Sequence, residues 1–326
     1  MLVEALEQPL LIARYRFRFR ALTSIRLPDY AGSMLRGAFG HALMLLSGIE
    51  KSDIEQRNQT FLYSPYAAVF EPVVNNGVGL LASIKDVAVP YIIEAPSEGA
   101  QSYQAGDVLE FDMVLFGQAL AHLSVIILAW RRALLHGLGR NKDQKAELVE
   151  VLHCAVGDSA EMKTVYSEER PILAPHNTQL FCPNFNETQN LCLHFYTGLR
   201  IKKDKKIVDA SELTPALLLR NIVRRVSFVL QLQQPDTPLT LDINGLNALA
   251  DSVHGEHNLQ YKRWKRHSSR QQASMDLNGW IGDWPLFNVS AELMPFVWLG
   301  QFLHVGKNTS FGLGGYEMGV INDKKT

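Results

Sequence analysis

Cysteine is scarce in this chain: Cys154, Cys182 and Cys192 are the only three among 326 residues, and none belongs to a CxxC pair. Three dispersed cysteines predict neither a disulfide framework nor a structural zinc site, and they are typical of a protein in a reducing cytosol. Histidine and cysteine never occur at metal-ligand spacing, and HExxH is absent. The sequence therefore predicts no bound metal and no cofactor.

Long apolar runs and a recognisable leader are also missing. The N-terminus carries Glu4 and Glu7 rather than a basic and then apolar run, so no signal peptide is predicted. The most apolar stretch, residues 123–130, is too short to span a bilayer. We therefore expect a cytoplasmic protein without a membrane partner.

Net charge is close to zero, at −1, which argues against a globally basic nucleic-acid binder. The positive charge is nevertheless segregated into four segments: 14–20 (arginine at alternate positions), 200–206, 220–225 and 262–270. Local positive potential attracts phosphates even on a neutral protein. A solvated polar surface would explain each cluster equally well, so composition leaves both interpretations open.

Hydrophobic periodicity divides the chain into two halves that repeat one order of elements. The first half predicts strands over 11–20, 66–70, 87–93, 107–116 and 147–156, and helices over 32–46 and 118–135. The second predicts strands over 191–201, 259–267, 274–281 and 311–321, and helices over 215–232 and 291–303. Both halves match a split βαβ unit. The predicted class is α+β: two tandem ferredoxin-like (βαββαβ, RRM-like) domains with antiparallel sheets, residues 1–160 and 161–326, joined within 157–171.

Glycines crowd the C-terminal segment 300–315, which fits no nucleotide-binding motif. A P-loop needs G-x4-G-K-[ST], whereas five residues separate Gly300 from Gly306 and Asn308 follows Lys307. A Rossmann fingerprint opens a βαβ unit instead of closing the chain. Glycines let backbone approach a phosphate chain, and Lys307 adds charge. Composition alone is explained just as simply by a turn without a ligand.

Several segments resemble, in order along the chain, the CRISPR-associated pre-crRNA processing endoribonucleases of the RAMP superfamily. They are LPDYAGSMLRGAFGHAL at 27–43, GDVLEFDMVLFG at 106–117, RWKRHSSRQQ at 263–272 and HVGKNTSFGLG at 304–314. The last is similar to the C-terminal glycine-rich loop of that family. Two departures stand out: residues 47–65 lack the cysteines that many relatives carry there, and His267 stands where relatives often have tyrosine.

The resemblance implies cleavage of CRISPR repeat RNA within pre-crRNA without a metal ion. The 2′-OH would attack the adjacent phosphate, giving a 2′,3′-cyclic phosphate and a 5′-OH. Such a reaction needs a base, an acid and a cation near the phosphorane. One alternative is a catalytically inactive crRNA-binding subunit of a CRISPR effector complex, and another is an unrelated protein with a duplicated fold. The implied partners are repeat RNA or pre-crRNA and such a complex.

The resemblance also implies which residues act. We predict His41 as the catalytic histidine, because it lies in the matched first helix. Tyr30 and Arg36 are the other predicted catalytic residues: Tyr30 would orient the histidine or hydrogen-bond the RNA, and Arg36, five residues before His41, would either reach a phosphate or be structural. The rival candidates are His267, His304 and Lys51. The predicted RNA-binding residues are Arg16, Arg18, Lys262, Arg263, Lys265, Arg266, Arg270, Gly306, Lys307, Asn308, Thr309, Ser310, Gly312 and Gly314. Tyr261 and Trp264 interleave with these charges and either stack an unpaired base or, for Trp264, belong to the core.

Overall fold

The computed structural model describes residues 6, 8–73, 89–96, 99, 101–155, 161–203, 206–233, 239, 241–267 and 274–321, without the side chains of 265–267 and 274–276. Two compact units emerge from the contacts within the chain. The N-terminal unit comprises Leu10–Leu180 with Leu232–Thr237, and the C-terminal unit comprises Met1–Pro9, Phe181–Gln231 and Pro238–Thr326.

An antiparallel sheet forms the base of the N-terminal unit. The strands of this unit are β1 (Leu10–Ala21), β2 (Ile25–Leu27), β3 (Tyr91–Glu94), β4 (Gln101–Tyr103), β5 (Val108–Phe116), β6 (Ala146–Cys154), β7 (Met162–Ser167) and β8 (Gln179–Leu180). Of these, β2 and β4 pair as a small separate ribbon, and the others belong to the sheet. The sheet order is β3-β5-β1-β6-β7, with β8 also paired to β1. The alternation in β1 places Tyr15, Phe17 and Phe19 in the core and the intervening arginines on the opposite face.

Helices cover one face of this sheet. They are α1 (Gly32–Leu46), α2 (Lys51–Gln56), α3 (Gln59–Leu62), α4 (Pro65–Val69) and α5 (Leu123–His136), the last entered through a 3₁₀ helix, Gly117–His122. Phe39 of α1 stacks on Trp130 of α5, with ring centroids 4.9 Å apart. Within the described residues, Gly117–His136 is long and apolar enough to cross a membrane. Here Ile126, Trp130 and Leu134 from that stretch are buried in the core.

Two sequence predictions for the N-terminal unit need correction. Residues 66–69 belong to α4, which Phe70 ends, and do not form a strand. Ser64 caps this helix by accepting a hydrogen bond from the Ala67 amide at 3.0 Å, and Pro65 sits at the first helical position. The segment 157–171 is not a plain linker, because β7 within it extends the sheet beside β6. The contacts therefore carry this unit on to Leu180, beyond the predicted boundary at residue 160.

The C-terminal unit has its own antiparallel sheet. Its elements are β9 (Gln189–Leu199), β10 (Lys202–Lys203), β11 (Lys206–Ile207), α6 (Pro215–Gln233), α7 (Ile243–Ser252), β12 (Asn258–Lys262), β13 (Lys265–His267), β14 (Ser274–Asp276), β15 (Gly279–Val289), α8 (Met294–Leu303) and β16 (Tyr316–Val320). The sheet order is β12-β15-β9-β16, while β10-β11 and β13-β14 form separate two-stranded ribbons. The core lies between this sheet and α6 with α8, around buried residues such as Leu193, Trp284 and Phe296.

The two sheets share one topology. Counting only the strands of a βαββαβ unit, β3-β5-β1-β6 and β12-β15-β9-β16 both follow the order 2-3-1-4, with every neighbouring pair antiparallel. Helices α1 and α5 in one unit correspond in chain order to α6 and α8 in the other. The predicted α+β class with tandem ferredoxin-like folds is confirmed.

Candidate active site and nucleic-acid interface

His41 lies at a shallow concavity between α1 and α5. The residues that line it are Ala38, His41, Ala42, Leu45, Arg132, Ala133, His136 and Lys142. The α1 residues are spaced by three and four, so they share one face of the helix, as Arg132 and His136 do on α5. Ala42 and Ala133 are buried, whereas His41 is exposed. The floor is therefore made of small methyl groups and the rim of long cationic side chains and imidazoles.

The electrostatics of this concavity favour a neutral imidazole at His41. Partial burial lowers the pKa of His41 below its usual range. Positive charge on four neighbours lowers that pKa further: Lys142, His136, Arg132 and Lys51. A histidine in this setting is mostly unprotonated near neutral pH, and the surrounding cations create a local potential that attracts phosphate.

The loop after α5 holds Lys142 in place. Gly137 ends the helix with φ +106, a value that side chains disfavour, and a Cβ there would collide with the Lys142 carbonyl. Residues Leu138 and Gln144 then pair as an antiparallel bridge. The side-chain oxygen of Gln144 also accepts a hydrogen bond from the Arg26 amide at 2.7 Å. These contacts fix the loop against the body of the unit.

Two of the predicted partners of His41 lie elsewhere. Tyr30 is buried ahead of α1, and the helical rise separates the start of α1 from His41 by about 14 Å. Arg36 is half-buried, its guanidinium carbon 4.3 Å from the Phe70 ring centroid, and its charge acts on the Tyr91 hydroxyl. Arg36 therefore packs beneath the helix, on a different face from His41. The rival candidate Lys51 is near enough for its charge to lower the pKa of His41.

The alternating arginines of β1 form a compensated ladder. Arg16 donates to both carboxylate oxygens of Asp112, at 2.8 and 3.0 Å. Arg18 donates to Glu110 and Glu150, each at 3.0 Å. Arg14 pairs with Glu94 and Arg20 with Glu147. Cross-strand carboxylates thus compensate the charges of Arg16 and Arg18, and the role of these two residues in RNA binding stays a prediction.

The glycine-rich loop between α8 and β16 is fixed by backbone geometry. Gly306, Gly312 and Gly314 have φ values of +93, +90 and +73, so glycine is required by conformation. The Gly314 amide donates to the Gly198 carbonyl at 3.0 Å, and the Lys307 amide donates to the Arg200 carbonyl at 2.8 Å. The loop thus lies against the end of β9 and its continuation.

The rim of this loop presents the polar residues. Lys307 is exposed, Asn308 and Thr309 are half-buried, and Ser310 is buried. Asn308 takes the left-handed conformation, φ +65, and starts the short 3₁₀ helix Thr309–Phe311. Lys307 therefore offers the loop's accessible charge, while its neighbours shape the turn behind it.

His304 lies inside the C-terminal unit. Its side chain has no exposure to solvent. Nδ1 lies 3.2 Å from the Leu313 carbonyl oxygen and Nε2 lies 3.4 Å from the Tyr196 hydroxyl. An imidazole with these contacts supports the loop from inside the unit, and the rival catalytic role of His304 stays a prediction.

The second basic cluster is only partly within the described structure. Lys262 and Arg263 are exposed on and after β12. The side chains of Lys265, Arg266 and His267, and the whole of Arg270, lie outside the described residues. Trp264 is buried against Gly198, which decides between the two roles left open for it in favour of the core. Tyr261 remains 41% exposed and packs on Trp280, with centroids 4.9 Å apart.

Metal ligands do not gather in the part of the chain that the structure describes: no group of three histidine, cysteine or acidic side chains forms a candidate site there. Cys154, Cys182 and Cys192 are free thiols. Burial raises the pKa of all three, to about 11 for Cys182. These thiols therefore stay protonated near neutral pH, the form that neither attacks nor ligates.

Sequence reasoning missed three residues of the concavity: Arg132, His136 and Lys142. A helical signal for the first two is present in the sequence, because an arginine and a histidine four apart must share a face. Nothing local indicates that this face meets His41, since the contact depends on how α1 and α5 pack over the sheet. Lys142 reaches the site only through the conformation of a glycine-containing loop.

Two family models match the chain. One, described as an N-terminal domain, matches residues 9–178. The other, described as CRISPR-associated endoribonuclease Cas6, matches residues 193–316. Together they cover both compact units. No curated protein matches the chain.

Solved structures share the fold at low sequence identity. The whole chain matches 48% of a chain in a partial Cas6-RT-Cas1–Cas2 complex, with 14% identity and a TM-score of 0.55. This chain therefore spans about half of that longer polypeptide. A Thermus thermophilus Cas6 in a product complex matches over 95% of this chain and 100% of its own, with 14% identity and a TM-score of 0.55. A second Cas6 product complex matches 95% of this chain and 99% of its own, at 15% identity and 0.51.

Proposed function

The chain belongs to the CRISPR-associated endoribonuclease Cas6 family, and on that premise we propose that it cuts CRISPR repeat RNA within pre-crRNA, without a metal ion, to release mature crRNA. The observation that carries the proposal is the exposed His41 in a concavity rimmed by cations. An enzyme that uses the RNA's own 2′-OH needs proton transfer and charge stabilisation, and this concavity offers both.

The proposed reaction is an in-line transesterification. The 2′-OH loses its proton and its oxygen bonds to the adjacent phosphorus, while the bond from phosphorus to the 5′-oxygen breaks. The leaving 5′-oxygen takes up a proton. The products are a 2′,3′-cyclic phosphate and a free 5′-OH, and no water or metal enters the balance.

His41 is proposed to transfer one of these protons. Its neutral imidazole suits removal of the 2′-OH proton. Lys142 and Arg132 lie around it as cations for the phosphorane, whose negative charge rises in the transition state. Tyr30 and Arg36 support α1 and do not touch the reacting atoms in this proposal.

RNA binding is proposed to use the C-terminal unit as well. Lys307 extends from the glycine-rich loop, and Lys262 with Arg263 lies at the end of β12. These cations would bind backbone phosphates, which fix the position of the strand without reading its sequence. Tyr261 has the exposure to stack an unpaired base.

The proposed partners are repeat RNA, pre-crRNA and a larger CRISPR complex, all met in the cytoplasm. Support for the complex comes from relatives of the same fold that occur within Cas6-RT-Cas1–Cas2 complexes. Support for the RNA comes from Cas6 structures determined as product complexes. A subunit that held crRNA without cutting it would use the same surfaces, so cleavage decides between the two.

The test is cleavage of the cognate repeat RNA in EDTA by the wild-type chain and by His41→Ala. We expect wild type to cut, and His41→Ala to cut more slowly by a factor of about a hundred or more. A single 2′-deoxy substitution at the cut site should block cleavage without preventing binding. The upstream product should carry a cyclic phosphate, resolved by mass spectrometry.

Three other outcomes would contradict all or part of this proposal. If wild type binds the repeat and never cuts it, the chain is a crRNA-binding subunit. Cleavage that requires an added divalent ion contradicts the metal-independent reaction. If His41→Ala cuts like wild type, the activity stands but the acid–base residue lies elsewhere, and His267 is the next variant to make.

A further inference from the structure

His136 faces the same concavity as His41 from the opposite helix. It occupies the last turn of α5, and both imidazoles are exposed. Two histidines across a cation-rimmed depression match the two proton transfers of the proposed reaction. We propose that His41 is the general base and His136 the general acid that protonates the leaving 5′-oxygen; this assignment rests on the proposed function.

His136 lies in the last turn of α5, at the C-terminal end of the helix, which carries partial negative charge. The other charged or titratable groups that line the same concavity are Arg132, His41 and Lys142. His41 lies mid-helix on α1, where partial burial and neighbouring positive charge lower its pKa and favour the neutral form that a base requires.

A second concavity adjoins the first and indicates which of the two histidines is the acid. Its lining residues are Leu46, Leu128, Arg131, Arg132, Leu135 and His136. His136 therefore borders both concavities, whereas His41 borders only one. The leucines are between 38% and 45% exposed and offer an apolar surface to a nucleobase. A nucleoside packed there would hold its 5′-oxygen on the His136 side, which is where the acid must act.

The experiment uses the full chain and two versions of the cognate repeat, one with the ordinary 5′-oxygen and one with sulfur replacing it at the cut site. A thiolate leaves without protonation, so loss of the acid matters only for the oxygen substrate. We expect His136→Ala to cut the oxygen substrate more slowly than wild type by on the order of a hundredfold and the sulfur substrate nearly as fast as wild type. His41→Ala should be slow on both.

The pH dependence gives an independent readout. Wild type should show a bell-shaped rate profile; His136→Ala should lose the falling limb at high pH, and His41→Ala the rising limb at low pH. His194→Ala, which removes an exposed histidine paired with Asp283 in the other unit, serves as the control and should match wild type. If His136→Ala unfolds at a lower temperature than wild type, His136→Gln is measured in the same way.

The outcomes separate the two proposals. No cleavage of the oxygen substrate by wild type refutes the proposed function and this assignment with it. Wild-type activity with an undiminished His136→Ala overturns the assignment alone. Equal slowing of His136→Ala on both substrates also overturns it, since His136 would then act only on positioning. Rescue of His41→Ala instead of His136→Ala by the sulfur substrate reverses the two roles and contradicts the assignment.

Discussion

The hydroxyl of Thr197 donates a hydrogen bond to the carbonyl oxygen of Gly312 at 2.8 Å. The hydroxyl oxygen of Thr197 in turn accepts a hydrogen bond from the Gly315 amide, also at 2.8 Å. Thr197 lies on β9 and is buried. One side chain therefore ties both ends of the glycine-rich turn to the sheet, and the loop that carries Lys307 depends on it.

Thr197→Val should loosen this loop while preserving its packing, because valine has the shape of threonine without the hydroxyl. Leaving a buried carbonyl and a buried amide unpaired costs about 1–3 kcal/mol of unfolding free energy. We expect a lower denaturation midpoint and weaker repeat-RNA binding, measured by chemical denaturation and by filter binding. Thr197→Ser keeps the hydroxyl and should bind RNA like wild type. Equal RNA affinity for the valine and serine variants would contradict the role of the hydroxyl.

Glycine-to-alanine substitutions at Gly314 and Gly37 should change the free energy of unfolding in opposite directions. Gly314 has φ +73, and a Cβ there would collide with the Val305 carbonyl, so Gly314→Ala should cost more than about 1 kcal/mol. Gly37 is exposed in α1 with open space around it, so Gly37→Ala should stabilise by about 0.5–1 kcal/mol. Thermal unfolding of both variants measures the pair. A stabilising Gly314→Ala would mean that the loop is not built as described.

The variants Lys307→Ala and Arg18→Ala should separate a loss of phosphate binding from a loss of stability. Lys307→Ala should weaken RNA binding and reduce the slope of log K against log salt by about 0.7–0.9, the effect of one lost phosphate contact. Arg18→Ala should leave RNA affinity unchanged, since Glu110 and Glu150 already compensate that charge. It should lower the unfolding free energy by about 1 kcal/mol at most, because all three groups are partly exposed. A reduced salt slope for Arg18→Ala would restore the arginine face as an RNA surface.

The sequence was a good guide to the fold where periodicity is strong. The predicted helix 32–46 is the observed α1, since its apolar spacing coincides with burial of Leu35 and Phe39. Residues 66–70 misled because Tyr66, Ala67 and Val69 are all buried, and a short buried run looks the same in a strand and a helix. The cap at Ser64 and Pro65 is the signal that distinguishes them.

The candidate site was harder to predict than the fold. His41 could be proposed because it lies within a segment that resembles a family signature. The pairing of Arg18 with Glu110 depends on strand register, which fixes partners about ninety positions apart and has no local signal. His136 needs the packing of two helices over a sheet before it meets His41. Both contacts depend on long-range packing and strand register, which residue types in the sequence do not reveal.

The N-terminal unit should lose stability as pH falls below neutrality, through histidines held neutral by the fold. Burial lowers the pKa of His153, and the charges of His176 and Lys163 lower it further. His153 packs between two rings, with centroids 5.6 Å from Tyr15 and 5.1 Å from His176. An unfolded chain protonates such a histidine near pH 6.5, whereas the folded chain does so only at lower pH. The unfolded state therefore binds more protons in this range, and the free energy of unfolding falls with falling pH.

Thermal unfolding between pH 7.5 and pH 5.5 measures this effect, because aspartate and glutamate stay largely ionised over that range. We expect the wild-type Tm to drop steadily as pH is lowered, and His153→Gln to show a shallower drop, since glutamine does not titrate. His41→Gln provides the matched comparison, because its imidazole is also held neutral but is exposed. Parallel Tm curves for wild type and His153→Gln would show that protonation of His153 does not limit stability. A steeper curve for His153→Gln would reverse the sign and mean that His153 is charged in the folded chain.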